Sequence, residues 1–162
     1  MATIHQNLSE YDETQTPSAK GMKIAIVVAE WNKEITFGLA KGAIDTLIDL
    51  GANEADISLH HVPGAFELPL GAQWVLEKGE VDAVITCGCV IQGETKHFDY
   101  VCGGVTQGVT DLNLKYNKPV IFCVLTDNNI EQSRARSGGI HGNKGVEAAV
   151  TAVKMIDLKS KI

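Results

Sequence analysis

The segment with the highest density of reactive side chains runs from residue 87 to residue 100. Gly93, Glu94 and Thr95 lie just before His97. Backbone amides beside a glycine, together with a threonine hydroxyl, can hold an anion such as phosphate. A histidine exchanges protons near neutral pH, which suits general acid–base catalysis. His97 is therefore a candidate proton shuttle, and the alternative is a solvent-facing or helix-capping histidine.

Two further segments carry groups suited to a flat, hydroxylated ligand. Trp31 follows an apolar run and could stack on a heterocycle, or it could pack between a loop and a helix. Asn32 is expected to be the N-cap of the next helix. Glu67 follows a Pro63-Gly64 turn, where a carboxylate could accept hydrogen bonds from a polyol or complement the helix dipole.

Cationic candidates lie nearer the C-terminus. A guanidinium of Arg134 or Arg136 could bind phosphate in bidentate fashion, although a surface salt bridge is the commoner fate of an arginine. Lys144 is a second candidate cation. The four cysteines lack C-x-x-C spacing, and two lie in apolar strand-like runs, so we expect buried free thiols and no metal site.

Short β-branched runs alternate with segments of helical periodicity and position these candidates. Strands are predicted at 23–29, 56–62, 81–91 and 119–125, and helices at about 35–50, 67–78, 106–116, 130–137 and 145–158. This order requires right-handed crossovers and a parallel sheet with helices on both faces. The prediction is an α/β, flavodoxin-like three-layer sandwich with a four-stranded parallel sheet. Ligands bind at the carboxyl ends of such strands, where the candidates lie.

The remaining properties favour one domain in the cytoplasm. Residues 1–22 are mostly polar and are expected to form an N-terminal arm, with a single domain over 23–162. The net charge of -6 is mild and the basic residues are scattered, which argues against nucleic acid as a partner. No signal peptide or membrane-spanning run is apparent, so a cytoplasmic location and no membrane partner are expected.

Several motifs, taken in order from residue 23 to the C-terminus, resemble the lumazine synthase family. Each motif is moderately specific, and the set is very specific. The motifs are Trp31-Asn32-x-x-Ile-Thr, Val62-Pro-Gly-Ala-Phe-Glu, Gly88-Cys-Val-Ile-Gln-Gly-Glu-Thr-x-His-Phe-Asp-Tyr-Val, Asn129-Ile-Glu-Gln and Gly142-Asn-Lys-Gly.

The resemblance implies synthesis of 6,7-dimethyl-8-ribityllumazine from two small-molecule substrates, a ribitylaminopyrimidine and 3,4-dihydroxy-2-butanone 4-phosphate. Trp31 would stack on the pyrimidine, Glu67 would accept the ribityl hydroxyls, and His97 would be the proton shuttle. No cofactor is implied, because the substrates carry their own nucleophile and leaving group.

The remaining implied contacts surround the same ligands. Ala65 and Phe66 would line the ribityl chain, and the backbone of Cys89, Val90 and Ile91 would contact the polar edge of the ring. Phosphate would be held by Glu94 and Thr95 with Arg136 as the charged clamp. The resemblance places the site between subunits, with Phe122 and Arg136 from the neighbour and Lys144 as a weaker addition.

The resemblance also implies a homo-oligomer built from pentamers. The uninterrupted turn from Arg136 to Gly145 is similar to that of members that form a 60-subunit icosahedral shell, which is the assembly we favour. The segment Thr3–Leu8 could add an edge strand to a neighbouring subunit, and riboflavin synthase is a further candidate partner.

The chain departs from the common pattern of the family in three places: Trp31 where phenylalanine is more frequent, Glu94 where a small residue is usual, and a long N-terminal arm.

Three alternatives remain open at this stage. A passive lumazine- or flavin-binding relative would need neither a phosphate clamp nor a proton shuttle. A flavodoxin-type electron carrier would need a phosphate-binding loop after the first strand, where this chain has Glu30-Trp31-Asn32. A purely structural shell protein would have lost substrate binding.

Overall fold

A computed structural model describes residues 7–162 and contains the predicted parallel sheet. Its strands are β1 (Ile24–Ala29), β2 (Ile57–Val62), β3 (Ala83–Ile91) and β4 (Val120–Asp127), in the order β2-β1-β3-β4 with all neighbours parallel. Its helices are α1 (Lys33–Asp49), α2 (Leu68–Lys78), α3 (His97–Tyr116), α4 (Ile130–Arg136) and α5 (Lys144–Lys161). The α/β prediction is confirmed.

Alternating side chains of the sheet enter two separate apolar clusters. Ile24, Ile26 and Val28 of β1 pack against α1 and α5 on one face. Ala25 and Val27 pack against α2 and α3 on the other face. Every residue of β1 is buried, as expected for a central parallel strand covered by helices on both sides. The helices and the sheet therefore form the predicted three layers.

Glycines end the first two helices and allow one close helix contact. Gly51 follows α1 with φ +96°, and Gly79 follows α2 with φ +76°; these left-handed conformations favour glycine. Gly145, in the first turn of α5, lies so close to the carbonyl of Leu39 that a side chain there would overlap it. Helix α5 therefore packs tightly against α1.

Helix α3 begins nine residues earlier than the sequence pattern indicated. The predicted body started at Thr106, whereas the observed helix starts at His97. Gly103 and Gly104 lower intrinsic helix propensity and obscured the pattern. Tertiary packing stabilises the helix despite this low propensity, because Gly104 and Gly108 let α3 approach Phe66 and Pro69 closely.

A short antiparallel pair that the sequence analysis missed connects α4 to α5. Its strands are β5 (Ser137–Gly139) and β6 (Gly142–Asn143). Gly138 and Gly142 have positive φ angles of 119° and 80°, which allow the chain to reverse within a few residues. The uninterrupted turn identified in the sequence is therefore a small hairpin.

Part of the predicted N-terminal arm packs on its own domain. The Leu8 N–H donates to the carbonyl of His141 at 2.8 Å, and Ala19 is fully buried in the cluster beside α1. Of the segment Thr3–Leu8 expected to form an edge strand, residues 3–6 lie outside the described residues, and residues 7 and 8 are not in a strand. The arm boundary at residue 22 stays a prediction.

Cysteine burial follows the sequence-based expectation. Cys87, Cys89 and Cys123 are buried, Cys102 is half-buried, and all four thiols are free. Cys87 and Cys123 are paired in register on β3 and β4, and a hydrogen bond between their side chains together with burial raises the pKa of the Cys87 thiol. Among residues 7–162, no helix is long and apolar enough to cross a membrane.

Candidate active site

A cavity of about 700 Å³ opens at the carboxyl ends of β1, β2 and β3. This is the edge of the sheet at which ligands bind in open α/β folds. The cavity is lined by Trp31, Asn32, Gly64, Ala65, Phe66, Glu67, Cys89, Val90, Ile91, Gly93, Thr95, His97, Phe98, Tyr100 and Val101. Nine of the thirteen predicted site residues are in this set, so the structure brings most of them together at one cavity, and their roles stay predictions.

The turns that follow β1 and β2 run side by side at the cavity. The Glu30 N–H donates to the carbonyl of Val62 at 2.8 Å, and the Trp31 N–H donates to that of Pro63 at 3.1 Å. These bonds extend the pairing of the strands beyond the sheet. Trp31 remains 72% exposed, so the alternative of a buried packing residue is wrong and its ring is available to a ligand.

Asn32 does not cap helix α1 through its side chain, which corrects the sequence-based interpretation. It occupies the N-cap position with φ 59° and ψ 48°, in the left-handed region, and makes no side-chain capping bond. Its Nδ2 instead donates to the carbonyl oxygen of Cys89 at 3.1 Å. The left-handed backbone directs the amide toward β3 and away from the first turn of the helix.

The turn after β2 presents an aromatic ring and a carboxylate to the cavity. Ala65–Glu67 form a short 3₁₀ helix that leads into α2. Phe66 is 59% exposed although its ring lies against the backbone of Gly104. The Glu67 carboxylate is exposed and lines the cavity, as a polyol acceptor requires.

The end of β3 forms a wall of the cavity, and hydrogen bonds from Cys89 on this strand anchor it to α4 and the end of β4. The Cys89 thiol donates to the hydroxyl of Ser133 at 3.4 Å, and that hydroxyl donates to Asp127 at 2.8 Å. Ser133 is fully buried. Burial raises the pKa of the Cys89 thiol, so it stays protonated near neutral pH and is a poor nucleophile.

The proposed anion cradle leads directly into α3. His97 is the first residue of that helix, and its N–H donates to the Thr95 hydroxyl at 3.4 Å. Gly93, Thr95 and the exposed His97 line the cavity. Glu94 is exposed but is not among the residues that line the cavity.

Three predicted contacts lie away from the cavity of their own chain. Phe122 is half-buried in the middle of β4 and packs against the apolar cluster beside α2 and α3. Arg136 donates to the backbone oxygen of Gln132 at 3.0 Å on α4. The Lys144 ammonium is 2.7 Å from the Glu147 carboxylate, with its side chain only 14% exposed.

The other arginine has the surface role that the sequence analysis left open. Arg134 donates two hydrogen bonds to the carboxylate of Glu34, at 2.8 Å and 3.0 Å. These bonds lower the pKa of Glu34. The ion pair links α4 to the first turn of α1, so the Arg134 guanidinium is bound to a carboxylate of its own chain.

Phe98, Tyr100 and Val101 line the cavity but were missed in the sequence. Tyr100 and Val101 lie three and four residues after His97, and residues at these spacings share a face of a helix. A helix predicted to start at His97 would have placed Tyr100 and Val101 beside it at the site. Across residues 7–162, no three His, Cys, Asp or Glu side chains converge as metal ligands would.

The fold and the cavity together define a flavodoxin-like α/β protein with a small-molecule site at the carboxyl edge of its sheet. The comparisons with known proteins give the family. Residues 21–160 match the family model of 6,7-dimethyl-8-ribityllumazine synthase. The chain belongs to the 6,7-dimethyl-8-ribityllumazine synthase family.

Full-length relatives carry the same name. The 6,7-dimethyl-8-ribityllumazine synthase of Flavobacterium johnsoniae is 57% identical over 161 residues, which cover 99% of this chain and 85% of the relative. That of Christiangramia forsetii is 58% identical, covering 98% and 95%. That of Parabacteroides distasonis is 55% identical, covering 99% and 100%.

Proposed function

We propose that this chain condenses 5-amino-6-(D-ribitylamino)uracil with 3,4-dihydroxy-2-butanone 4-phosphate to 6,7-dimethyl-8-ribityllumazine, the penultimate step of riboflavin biosynthesis. Family membership supports this activity. The observation that carries the proposal is a single cavity lined by an aromatic platform, a carboxylate, a hydroxyl and a histidine: Trp31, Glu67, Thr95 and His97.

The proposed reaction needs positioning and proton transfers. The 5-amino group of the pyrimidine attacks the ketone, and loss of water gives a Schiff base. Phosphate is eliminated, and attack by the ribitylamino nitrogen closes the ring with loss of a second water. Each step moves a proton to or from nitrogen or oxygen, and His97 is the group assigned to these transfers.

The magnitudes suit a cofactor-free enzyme. Orienting two bound substrates can supply about 7–11 kcal/mol of the barrier in well-aligned reactions. Proton transfer by a positioned histidine adds about 10²- to 10⁴-fold. Trp31 and Glu67 would orient the pyrimidine through its ring and its ribityl hydroxyls, while the Gly93–Thr95 backbone and hydroxyl would hold the phosphate.

We further propose that neighbouring subunits complete each site. The chain is assigned to a homo-oligomer, with pentamers as the unit and a 60-subunit shell as the favoured assembly. Phe122 and Arg136 do not reach the cavity of their own chain, which supports their donation to the cavity of an adjacent copy. A lone pentamer by size-exclusion chromatography would contradict the shell.

Subunit mixing tests the shared site. Variants His97→Ala and Arg136→Ala are co-expressed with different tags, and mixed oligomers are purified through both tags. If Arg136 acts in the neighbour's site, about a quarter of the sites in randomly mixed rings regain both residues, and turnover recovers accordingly. Recovery absent from mixed oligomers would place both residues in one subunit.

The activity is tested by incubating purified protein with both substrates and following lumazine by its fluorescence. Reactions that lack either substrate or the protein are the controls. Formation of lumazine with no added metal or cofactor supports the proposal. Binding of the pyrimidine with no turnover would favour the passive binding module instead.

A further inference from the structure

Asn32 joins two walls of the cavity that belong to different strands. It follows Trp31, the exposed aromatic residue at the end of β1. Its side-chain amide donates to the carbonyl oxygen of Cys89, which lies in β3 two residues before the end of that strand, at 3.1 Å. Register pairing between β1 and β3 has already ended at Val28 and Cys87. The amide therefore continues the connection beyond the sheet.

The backbone at Asn32 has an unfavourable conformation that the hydrogen bond explains. Asn32 and Asn117 are the non-glycine residues with positive φ among residues 7–162. Left-handed backbone costs roughly 1–2 kcal/mol for most L-residues, and asparagine tolerates it better than most. A glycine would satisfy the backbone without strain, but it would leave the Cys89 carbonyl without this donor.

Both ends of the link are themselves held in place. Cys89 is anchored through its thiol to the buried Ser133. The carboxylate of Glu34, two residues after Asn32, accepts hydrogen bonds from Nε and Nη2 of Arg134 on α4. The turn that carries Trp31 is therefore fixed against β3 and α4 and not only against the turn after β2.

We propose that Asn32 is a positioning residue that sets the distance and tilt of the Trp31 ring relative to the Cys89–Ile91 wall. The inference rests on the proposed function, in which the pyrimidine occupies the space between Trp31 and that wall. Asn32 acts through Trp31 and Cys89, with no chemical step of its own. Loss of its amide weakens pyrimidine binding more than it slows the chemistry.

The test uses Trp31 as its own reporter. The chain has two tryptophans, and Trp74 is exposed on α2 away from the cavity. Trp74→Phe therefore gives a parent protein with one tryptophan. Asn32→Gly and Asn32→Asp are made in this parent. Asn117→Gly, which changes the other left-handed asparagine at the C-terminal end of α3, is the matched control.

The measurements are Trp31 fluorescence anisotropy without substrate and the steady-state constants for 5-amino-6-(D-ribitylamino)uracil. For Asn32→Gly we expect lower anisotropy and a KM raised about three- to tenfold, the effect of one neutral hydrogen bond, with kcat within about twofold. Asn32→Asp should raise KM further, because a carboxylate oxygen then faces the Cys89 carbonyl. Asn117→Gly should change neither quantity.

The outcomes separate this inference from the proposed function. Anisotropy and KM equal to those of the parent in both Asn32 variants would overturn the positioning role, even if the melting temperature falls. An equal KM increase in Asn117→Gly would also overturn it. A parent that binds and turns over no pyrimidine would overturn the proposed function, while the anisotropy comparison would still test the position of Trp31.

Discussion

A methyl group added at Gly104 should alter the cavity while leaving the fold intact. A Cβ built on Gly104 lies 2.6 Å from Cε2 of Phe66, 3.4 Å from Cδ2 and 3.5 Å from Cζ. Ordinary contact begins near 3.4 Å, so the nearest edge of the ring must move by about 0.8 Å to restore normal packing. Phe66 lines the cavity, and this movement changes its wall.

The expected effects on stability and on activity differ in size. Phe66 is 59% exposed and its ring can rotate away, so overpacking should cost less than the 1–3 kcal/mol typical of cores. Replacing a glycine inside a helix by alanine stabilises the folded protein by about 0.5–1 kcal/mol. The free energy of unfolding of Gly104→Ala should therefore lie within about 1 kcal/mol of the wild-type value. A displacement near 1 Å can cost up to 10²-fold in rate, and we expect kcat/KM to fall about tenfold.

Gly103→Ala is the matched control. Apart from its chain neighbours and the nearby backbone of α3 itself, no described atom lies within 4 Å of a Cβ at Gly103, so this variant gains helix propensity without touching Phe66. Both variants are compared by urea unfolding at one protein concentration, by size-exclusion chromatography and by steady-state kinetics. Equal kcat/KM in the two variants, with unchanged assembly, would refute the argument that Gly104 shapes the cavity through Phe66.

Further predictions concern the chemistry, the cations and the packing of α3. His97→Ala should slow single-turnover lumazine formation by about 10²- to 10⁴-fold with a detectable remainder; an unchanged rate would remove His97 from the mechanism. Arg136→Ala should raise the KM for the phosphate-bearing substrate, whereas Arg134→Ala, in an exposed ion pair, should leave the KM for that substrate and the unfolding midpoint near wild type. Equal KM effects would contradict this division. Asn113→Ala should lower the free energy of unfolding by about 1–3 kcal/mol, because the Asn113 amide bonds both backbone groups of Val120; a smaller loss in urea unfolding would show that water replaces those bonds.

The strand order and the three layers were predictable because the local patterns agree with the tertiary structure. The β1 run is entirely apolar, and it is buried from Ile24 to Ala29. Helix α1 ends as predicted, since Gly51 supplies the left-handed residue that stops it. Such signals are local, and they depend on few distant contacts.

The errors arose where distant contacts override local preference. The start of α3 was missed because its glycines are unfavourable for an isolated helix, yet they permit contact with Phe66 and Pro69. Asn32 was expected to cap α1, but its amide bonds Cys89, which is 57 residues away in sequence. Neither contact has a signature in the local sequence.

The candidate site was predicted best where it follows the ends of strands. Trp31, Glu67 and His97 all line the cavity because parallel strands bring their carboxyl ends to one edge. Phe122 and Arg136 came from the family resemblance alone. Their contribution to a neighbouring site stays a prediction, which subunit mixing tests.

The most direct test of the proposed function follows both products in one single-turnover reaction. Protein in excess is mixed with the pyrimidine and the keto-phosphate, and lumazine fluorescence and free phosphate are recorded together. The account predicts one phosphate for each lumazine, with both signals slowed together in His97→Ala. Phosphate released without lumazine, or neither product from a protein that binds the pyrimidine, would contradict it.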